Sequence, residues 1–207
     1  MKIITINRDA PEISQLQECA RTLQDNSMAA YPTDTFYGIG GNAFARELIE
    51  KIYRVKRRSR EKPLILLVGN MHQFESLTKD RPAFAYRLAR DFWPGPLTLI
   101  LPKKAGLPEN LSREDTIAVR IPDNPIARRF IAKAGGAIAA TSANHSGDTP
   151  ACTAQEALAA LGDFIAAVLD GGPVEHSQAS TILDCTILPP KIIRPGPISA
   201  EALDINS

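Results

Sequence analysis

Apolar and polar residues recur along the chain with two periods, the two-residue period of strands and the helical period of about 3.6 residues. KIITI at residues 2–6 predicts a short strand, and residues 11–25 place apolar side chains on one helical face. This succession of a strand and a helix recurs several times. Strands interleaved with helices predict an α/β domain, and hairpin-like neighbours late in the chain favour a mixed sheet over a purely parallel one.

The same two periods predict the remaining elements. The predicted helices are FARELIEKIYRV, PAFAYRLARDF, NPIARRFIAKAGG with a cap at Asn124, and CTAQEALAALG. The predicted strands are SMAAYP, PLILLVG, LTLILP, TIAVRIP, AIAAT, FIAAVLDGG, STILDCT and KIIRPGPIS. The segment rich in Thr and Gly after SMAAYP is predicted to be a turn. No repeat or linker interrupts the pattern, so we expect one domain over residues 1–207.

Composition is that of an ordinary globular protein, with 44% hydrophobic residues, 23% charged residues and a net charge of +1. Polar residues begin at Asn7, too early for a signal peptide, and no apolar run is long enough to span a membrane. Cys19, Cys152 and Cys185 are too few for a disulfide framework. We therefore expect a cytoplasmic protein with no membrane association, and the scattered histidines argue against a zinc site.

Polar segments follow the predicted strands, where the ligands of α/β sheets gather. Thr33, Asp34 and Thr35 precede a glycine-rich run that suits a small zwitterion or a phosphate, although a plain turn explains it equally well. Six cations lie within residues 54–62, and two of them spaced two apart can embrace a polyphosphate. A solvated charge run is the alternative.

Small polar residues 141–144, TSAN, end the most apolar predicted strand and can converge on a nucleotide. Arg120 and Arg194 each stand alone in a strand pattern, so each contacts an anion or forms a structural salt bridge. Trp93, among prolines, favours a packed corner over a base-stacking platform. No catalytic triad or carboxylate pair can be assembled, and cations with hydroxyls suit phosphoryl or nucleotidyl transfer.

Taken together, YPTDTFYGIGGNA, the KxR of Lys56 and Arg58, FWPGPLT, IAVRIPDNP, TSANHSG, STILD and IIRPGPIS closely resemble the ordered motifs of the YrdC/TsaC family. The resemblance covers about residues 12–200. It implies a twisted mixed sheet flanked by helices and enclosing a positively charged cleft, in a short form without a C-terminal extension. It also implies a reaction of L-threonine, bicarbonate or CO2, and ATP with Mg²⁺ that gives threonylcarbamoyl-AMP and pyrophosphate.

The resemblance also implies roles for individual residues. Thr35 and Arg120 would bind threonine with Ser180 nearby, whereas Lys56, Arg58 and Lys62 would face the ATP phosphates. Lys56 and Arg58 would be the catalytic pair. The other positions carried over to the nucleotide site are Thr116, Ala140, Ser142, Asn144, Pro150 and Arg194.

The sequence departs from the family pattern at Leu67, where many members have histidine, at Lys62, where asparagine is common, and at Asp34, where glutamate is usual. The family product passes to a transferase complex that modifies adenosine 37 of tRNA. Two alternatives stay open: a YciO-type protein with the same fold and a divergent activity, and a module that binds tRNA or double-stranded RNA through the basic segment 54–62.

Overall fold

The computed structural model describes residues 2–7, 10–24, 26–112, 114–174 and 178–205. Strands in this part are β1 Lys2–Thr5, β2 Met28–Pro32, β3 Tyr37–Asn42, β4 Ile65–Val68, β5 Leu97–Pro102, β6 Thr116–Arg120, β7 Ala137–Ser142, β8 Ile165–Asp170, β9 Thr181–Asp184 and β10 Lys191–Arg194. Helices are α1 Ile13–Gln24, α2 Arg46–Lys56, α3 Met71–Leu77, α4 Ala83–Phe92, α5 Pro125–Lys133, α6 Ala154–Leu161 and α7 Ala200–Leu203.

All ten strands form one mixed sheet in the order β1-β8-β2-β3-β7-β4-β6-β5-β9-β10. The parallel neighbours are β1 with β8, β8 with β2, β4 with β6, and β5 with β9. The remaining neighbours are antiparallel. The mixed α/β fold predicted from the element order is therefore confirmed.

Helices cover both faces of the sheet, and successive residues of strand β7 show this division. Ala139 belongs to a core that includes apolar residues of α2, α4 and α6, whereas Ile138 and Ala140 belong to a second core built with α1 and α5. Alternation of side chains along a strand places these residues on opposite faces. The second core includes Leu67 of β4 as well.

The structure differs from the predicted elements mainly between β2 and α2. Of the segment predicted as a turn, residues 33–36 do turn, but the glycine-rich part forms strand β3, which pairs with β2 on one side and β7 on the other. A Cβ on Gly40 would collide with the Ala139 carbonyl and the Ile138 side chain, so glycine is what permits this close pairing. Helices α3 and α7 were not predicted, and α2 begins at Arg46, two residues later than expected.

Trp93 occupies a packed corner, as predicted. Its side chain is buried, its Nε1 donates to the Leu97 carbonyl at 2.7 Å, and its ring meets Phe74 edge-on at 5.1 Å. Among the described residues, no helix has both the length and the apolar character needed to cross a bilayer.

Candidate functional site

A cleft of about 210 Å³ opens on the face of the sheet that carries α1 and α5. Neighbouring strands contribute same-face residues to its floor, namely Gly38, Ile65, Leu67, Arg120, Ala140 and Ser142. The segments around it contribute Thr33, Thr35, Arg58, Pro150, Ser180 and Arg194. Leu67 and Ala140 belong to both the second core and the cleft lining. The cleft therefore lies where this face of the sheet extends beyond the second core.

Arg58 reaches the cleft because helix α2 ends at Lys56, two residues before it. Arg57 adopts the left-handed conformation with φ of 50°, and the Arg58 amide donates to the Tyr53 carbonyl at 3.0 Å. The Arg58 guanidinium is held by the Lys62 carbonyl at 2.7 Å and the Pro63 carbonyl at 3.0 Å. Backbone oxygens therefore fix its direction without neutralising its charge.

Lys56 turns the other way and is only 1% exposed. Its Nζ donates to the Ser142 carbonyl at 2.5 Å, to Asn144 Oδ1 at 3.0 Å and to the Asn144 carbonyl. Burial, together with Arg58, lowers the pKa of Lys56 to about 7. Lys56 does not line the cleft.

Asn144 organises the loop that follows β7. Its Oδ1 accepts from Ser142 Oγ at 2.6 Å, and its Nδ2 donates to the carbonyls of His145 at 2.9 Å and Asp148 at 2.7 Å. The side chain is 6% exposed and lies behind Ser142. The loop thus presents the Ser142 side of β7 to the cleft.

Arg120 lies on the cleft floor and is held from three directions. Its Nη2 pairs with Asp34 Oδ1 at 2.5 Å, its Nη1 donates to Thr35 Oγ1 at 3.1 Å, and its Nε donates to the Gly95 carbonyl at 2.9 Å. The side chains of Arg120 and Asp34 are 5% and 10% exposed. Asp34 Oδ2 is also buried, and the described residues provide it with no hydrogen-bond partner.

Thr33 holds the turn between β2 and β3 together. Its Oγ1 lies 3.0 Å from Thr35 Oγ1, accepts from the Thr35 and Phe36 amides, and donates to the Phe36 carbonyl at 2.6 Å. This arrangement is a local side-chain-to-backbone turn. It fixes the hydroxyl of Thr35 beside Arg120.

Arg194 and Ser180 also line the cleft. The Arg194 guanidinium donates to the Ser180 carbonyl at 2.8 and 3.0 Å and to Ser180 Oγ at 2.9 Å. The Ser180 hydroxyl also contacts Thr98 Oγ1 at 2.8 Å on the neighbouring strand β5. A bulge between Ile192 and Arg194 in the β9–β10 pairing accompanies this placement.

The cleft therefore carries three guanidinium groups, those of Arg58, Arg120 and Arg194. Burial lowers the pKa of Arg194, and the charges of Arg120 and Arg58 lower it further. Within the described part of the chain, no carboxylate lies within ion-pair distance of Arg58 or Arg194, and none lines the cleft. Such uncompensated cations suit a polyanionic ligand.

Most residues assigned to a site from the sequence converge in this cleft, namely Thr35, Arg58, Arg120, Ala140, Ser142, Pro150, Ser180 and Arg194. Lys56 and Asn144 lie behind its wall, and Lys62 and Thr116 lie outside the lining. Lys62 contributes its carbonyl to Arg58. Direct contacts of these four with a nucleotide stay predictions.

Sequence reasoning gave no role to the lining residues Phe36, Tyr37 and Ile65, whereas Thr33 and Thr141 belong to the two polar segments that the sequence indicated as ligand-binding. A signal existed for Thr33, because a Thr-x-Thr after a Pro-stopped strand is typical of a side-chain-supported turn. Lys56 also had a signal: it follows Ile49 and Ile52 at helical spacing on the buried face of α2.

The described residues contain no group of three His, Cys, Asp or Glu side chains that could hold a metal ion. The donor set fits Mg²⁺ only as an ion carried by nucleotide phosphates, which is how Mg²⁺ commonly enters nucleotide sites. No residue of the cleft is assigned to it.

The model of the family Sua5_yciO_yrdC, described as "Telomere recombination", matches residues 21–196. A protein of Bacillus subtilis named threonylcarbamoyl-AMP synthase is 40% identical over 192 residues, which make up 92% of this chain and 56% of that protein. The chain thus spans just over half the length of this relative.

Two solved structures share the fold. The structure titled "Crystal structure of P. abyssi Sua5 complexed with L-threonine" superposes with a TM-score of 0.94 at 35% identity, covering 99% of this chain and 60% of that one. Escherichia coli YciO superposes with a TM-score of 0.89, covering 98% of this chain and all of that one. At 22% identity, the likeness to YciO shows the fold alone.

Proposed function

The chain belongs to the Sua5/YciO/YrdC family, and from this premise we propose that it is an L-threonylcarbamoyladenylate synthase, a nucleotidyltransferase that uses ATP. The observation that carries the proposal is the convergence of three guanidinium groups around one cleft that also presents the Thr35 and Ser180 hydroxyls. The threonine-bound structure of a family member supports an amino-acid substrate.

In the proposed arrangement, the carboxylate of threonine pairs with Arg120, whose guanidinium is oriented by Asp34 and Gly95. Thr35 Oγ1, beside Arg120, and the Ser180 hydroxyl, beside Arg194, supply further hydrogen bonds. Arg58 and Arg194 bind the phosphates of ATP, because both are cationic and without an acidic partner in the described chain. Ala140, Ser142 and Pro150 border the nucleotide.

The reaction begins when the threonine amine attacks CO2, forming a C–N bond and releasing a proton to give a carbamate. A carbamate oxygen then attacks the α-phosphorus, and the bond to the β-phosphate oxygen breaks as pyrophosphate leaves. Arg58 and Arg194 stabilise the charge that develops on the phosphates. Mg²⁺ bound to the nucleotide supplies further charge neutralisation.

We further propose that the product is used for N6-threonylcarbamoyladenosine modification of tRNA in the cytoplasm, through a downstream transferase complex. Binding of tRNA or double-stranded RNA by the chain itself stays a prediction.

The decisive experiment measures pyrophosphate release with ATP, threonine and bicarbonate, omitting each in turn. We expect release only in the complete mixture, and we expect Arg58→Ala to reduce it by about 10²- to 10³-fold, the usual effect of removing one donor to developing charge. Pyrophosphate release that ignores threonine would reject the synthase in favour of a divergent activity of YciO type. Leu67 on the cleft floor is the observation that fits a YciO-type activity, because many family members have histidine at this position.

A further inference from the structure

The ammonium of Lys56 is enclosed by the protein, although its sequence spacing pairs it with Arg58. Its three contacts are the Ser142 carbonyl, the Asn144 carbonyl and Asn144 Oδ1. An ammonium has three N–H donors and no acceptor, so these three oxygens occupy all of its hydrogen-bonding capacity. No donor is left for a ligand in the cleft.

The residues that Lys56 holds are connected to the cleft wall. Asn144 Oδ1 accepts from both Lys56 Nζ and Ser142 Oγ, the latter at 2.6 Å. Ser142 lines the cleft, whereas Asn144 and Lys56 do not. The direction of the Ser142 hydroxyl therefore depends on an oxygen that Lys56 also fixes.

Helix α2 provides the rigid base for this linkage. The Lys56 carbonyl accepts from the Ser146 amide at 3.0 Å, and His145 Nδ1 lies 3.1 Å from the Val55 carbonyl. Much of α2 is buried, including Ile49, Ile52 and Val55. The last turn of this helix thus holds the loop after β7 through its backbone and through the Lys56 side chain.

We propose that Lys56 is a positioning residue that fixes Ser142 in the cleft wall through Asn144 and does not itself bind the nucleotide phosphates. Arg58 is then the phosphate-binding member of the pair. The inference rests on the proposed function only for the identity of the ligand, since the contacts of Lys56 are all to atoms of the protein itself.

Hydrogen exchange of the nucleotide-free protein tests the structural half. Lys56→Met keeps an unbranched side chain that is one atom shorter and removes its donors, and Lys51→Met, on the same helix, is the matched control. We expect backbone amides of residues 142–148 to exchange about tenfold faster in K56M and at the wild-type rate in K51M. Wild-type exchange rates in K56M would overturn the proposal.

Lys56→Gln, which keeps two donors, replaces K56M if that variant does not fold. An exchange rate between those of wild type and the unfolded chain would support the proposal, and the wild-type rate would overturn it.

Calorimetric titration with ATP tests the functional half, using K56M, Asn144→Ala and the double variant. If Lys56 acts through Asn144, we expect the double variant to bind ATP within about twofold of the weaker single variant. If the fold increases in the Kd for ATP of the two single variants multiply in the double variant, Lys56 contacts the phosphates directly and the proposal is overturned.

In turnover assays, we expect K56M to raise the KM for ATP more than it lowers kcat. An absence of threonine-dependent turnover in wild type would defeat the proposed function alone, because exchange and binding need no turnover.

Discussion

Lys56 and Arg58 stand two residues apart, yet one is buried behind the cleft and the other lines it. Arg57 between them ends the helix with a positive φ, so the chain turns before Arg58. At the level of single residues, a spacing such as KxR does not tell which cation faces the ligand. The hydrogen-bond partners do, because Arg58 is held only through carbonyls that leave its charge uncompensated.

Asp34 is the residue on which the position of Arg120 depends most. The two side chains are almost fully buried, so removing the carboxylate charge leaves a buried cation whose remaining partners, among them the Gly95 carbonyl and the Thr35 hydroxyl, are all neutral. We expect Asp34→Asn to lower the free energy of unfolding by about 3 kcal/mol, toward the lower end for a broken buried ion pair, because those two contacts persist. Urea denaturation measures this change.

Asp123→Asn is the matched control for Asp34→Asn. Asp123 pairs with Arg128 at 2.9 Å, but its side chain is 63% exposed. Exposed pairs contribute little, so this variant should lose less than about 1 kcal/mol. Equal losses in the two variants would show that burial of the Asp34–Arg120 pair does not set its contribution.

At the scale of elements, the C-terminal end of α2 is the feature that sends Lys56 and Arg58 apart. Arg57 is exposed and has φ of 50°, a conformation that costs an L-residue about 1 kcal/mol and costs glycine nothing. We expect Arg57→Gly to raise the free energy of unfolding by about 0.5 kcal/mol, after the greater entropy of glycine in the unfolded chain is subtracted.

Arg54→Gly, three residues earlier in the same helix, provides the comparison. Arg54 is exposed and helical, so glycine there should lower the free energy of unfolding by about 1 kcal/mol. Chemical denaturation of both variants gives the two signs. A loss at both positions would mean that the left-handed conformation of Arg57 carries no strain.

Elements with a clear period could be predicted from the sequence, whereas those fixed by distant neighbours could not. Asn124 was predicted to cap α5, and its side chain does accept from the Ala127 amide at 3.1 Å. Strand β3 looked like a turn because it is rich in glycine. Its glycines instead permit pairing with β7, a strand about a hundred residues further along the chain. Helix α3 buries only Phe74 and Leu77, too few residues to establish a helical period.

Across the whole molecule, the cleft draws on segments from residue 33 to residue 194, and no local pattern shows that they meet. The sequence motifs identified the family and eight lining residues, because motifs can be matched by residue type and order without knowledge of the three-dimensional arrangement. They placed Lys56 with the ATP phosphates, a role that stays a prediction, and they could not separate a polar side chain that supports a loop from one that faces a substrate, because the two look alike in a sequence. Hydrogen-bond capacity separates the two cases.

The whole-molecule consequence of gathering three guanidinium groups around one cleft is that the charges of Arg58 and Arg120 act on Arg194, which has no acidic partner among the described residues. Burial lowers the pKa of Arg194, the charges of Arg120 and Arg58 lower it further, and a polyanion held by Arg58 and Arg194 offsets this repulsion. We expect inorganic pyrophosphate to raise the Tm of the protein, corresponding to about 2.7 kcal/mol when its concentration is a hundredfold above its Kd. Differential scanning calorimetry at increasing pyrophosphate concentrations measures the shift in Tm.

Arg194→Ala should remove most of this Tm shift. Arg87 is an exposed arginine on α4 away from the cleft lining, so Arg87→Ala should leave the shift intact. Raising the ionic strength should reduce the shift, because the cleft is open to solvent and its charges are screened. A Tm shift of the same size in Arg194→Ala would place the pyrophosphate elsewhere on the protein.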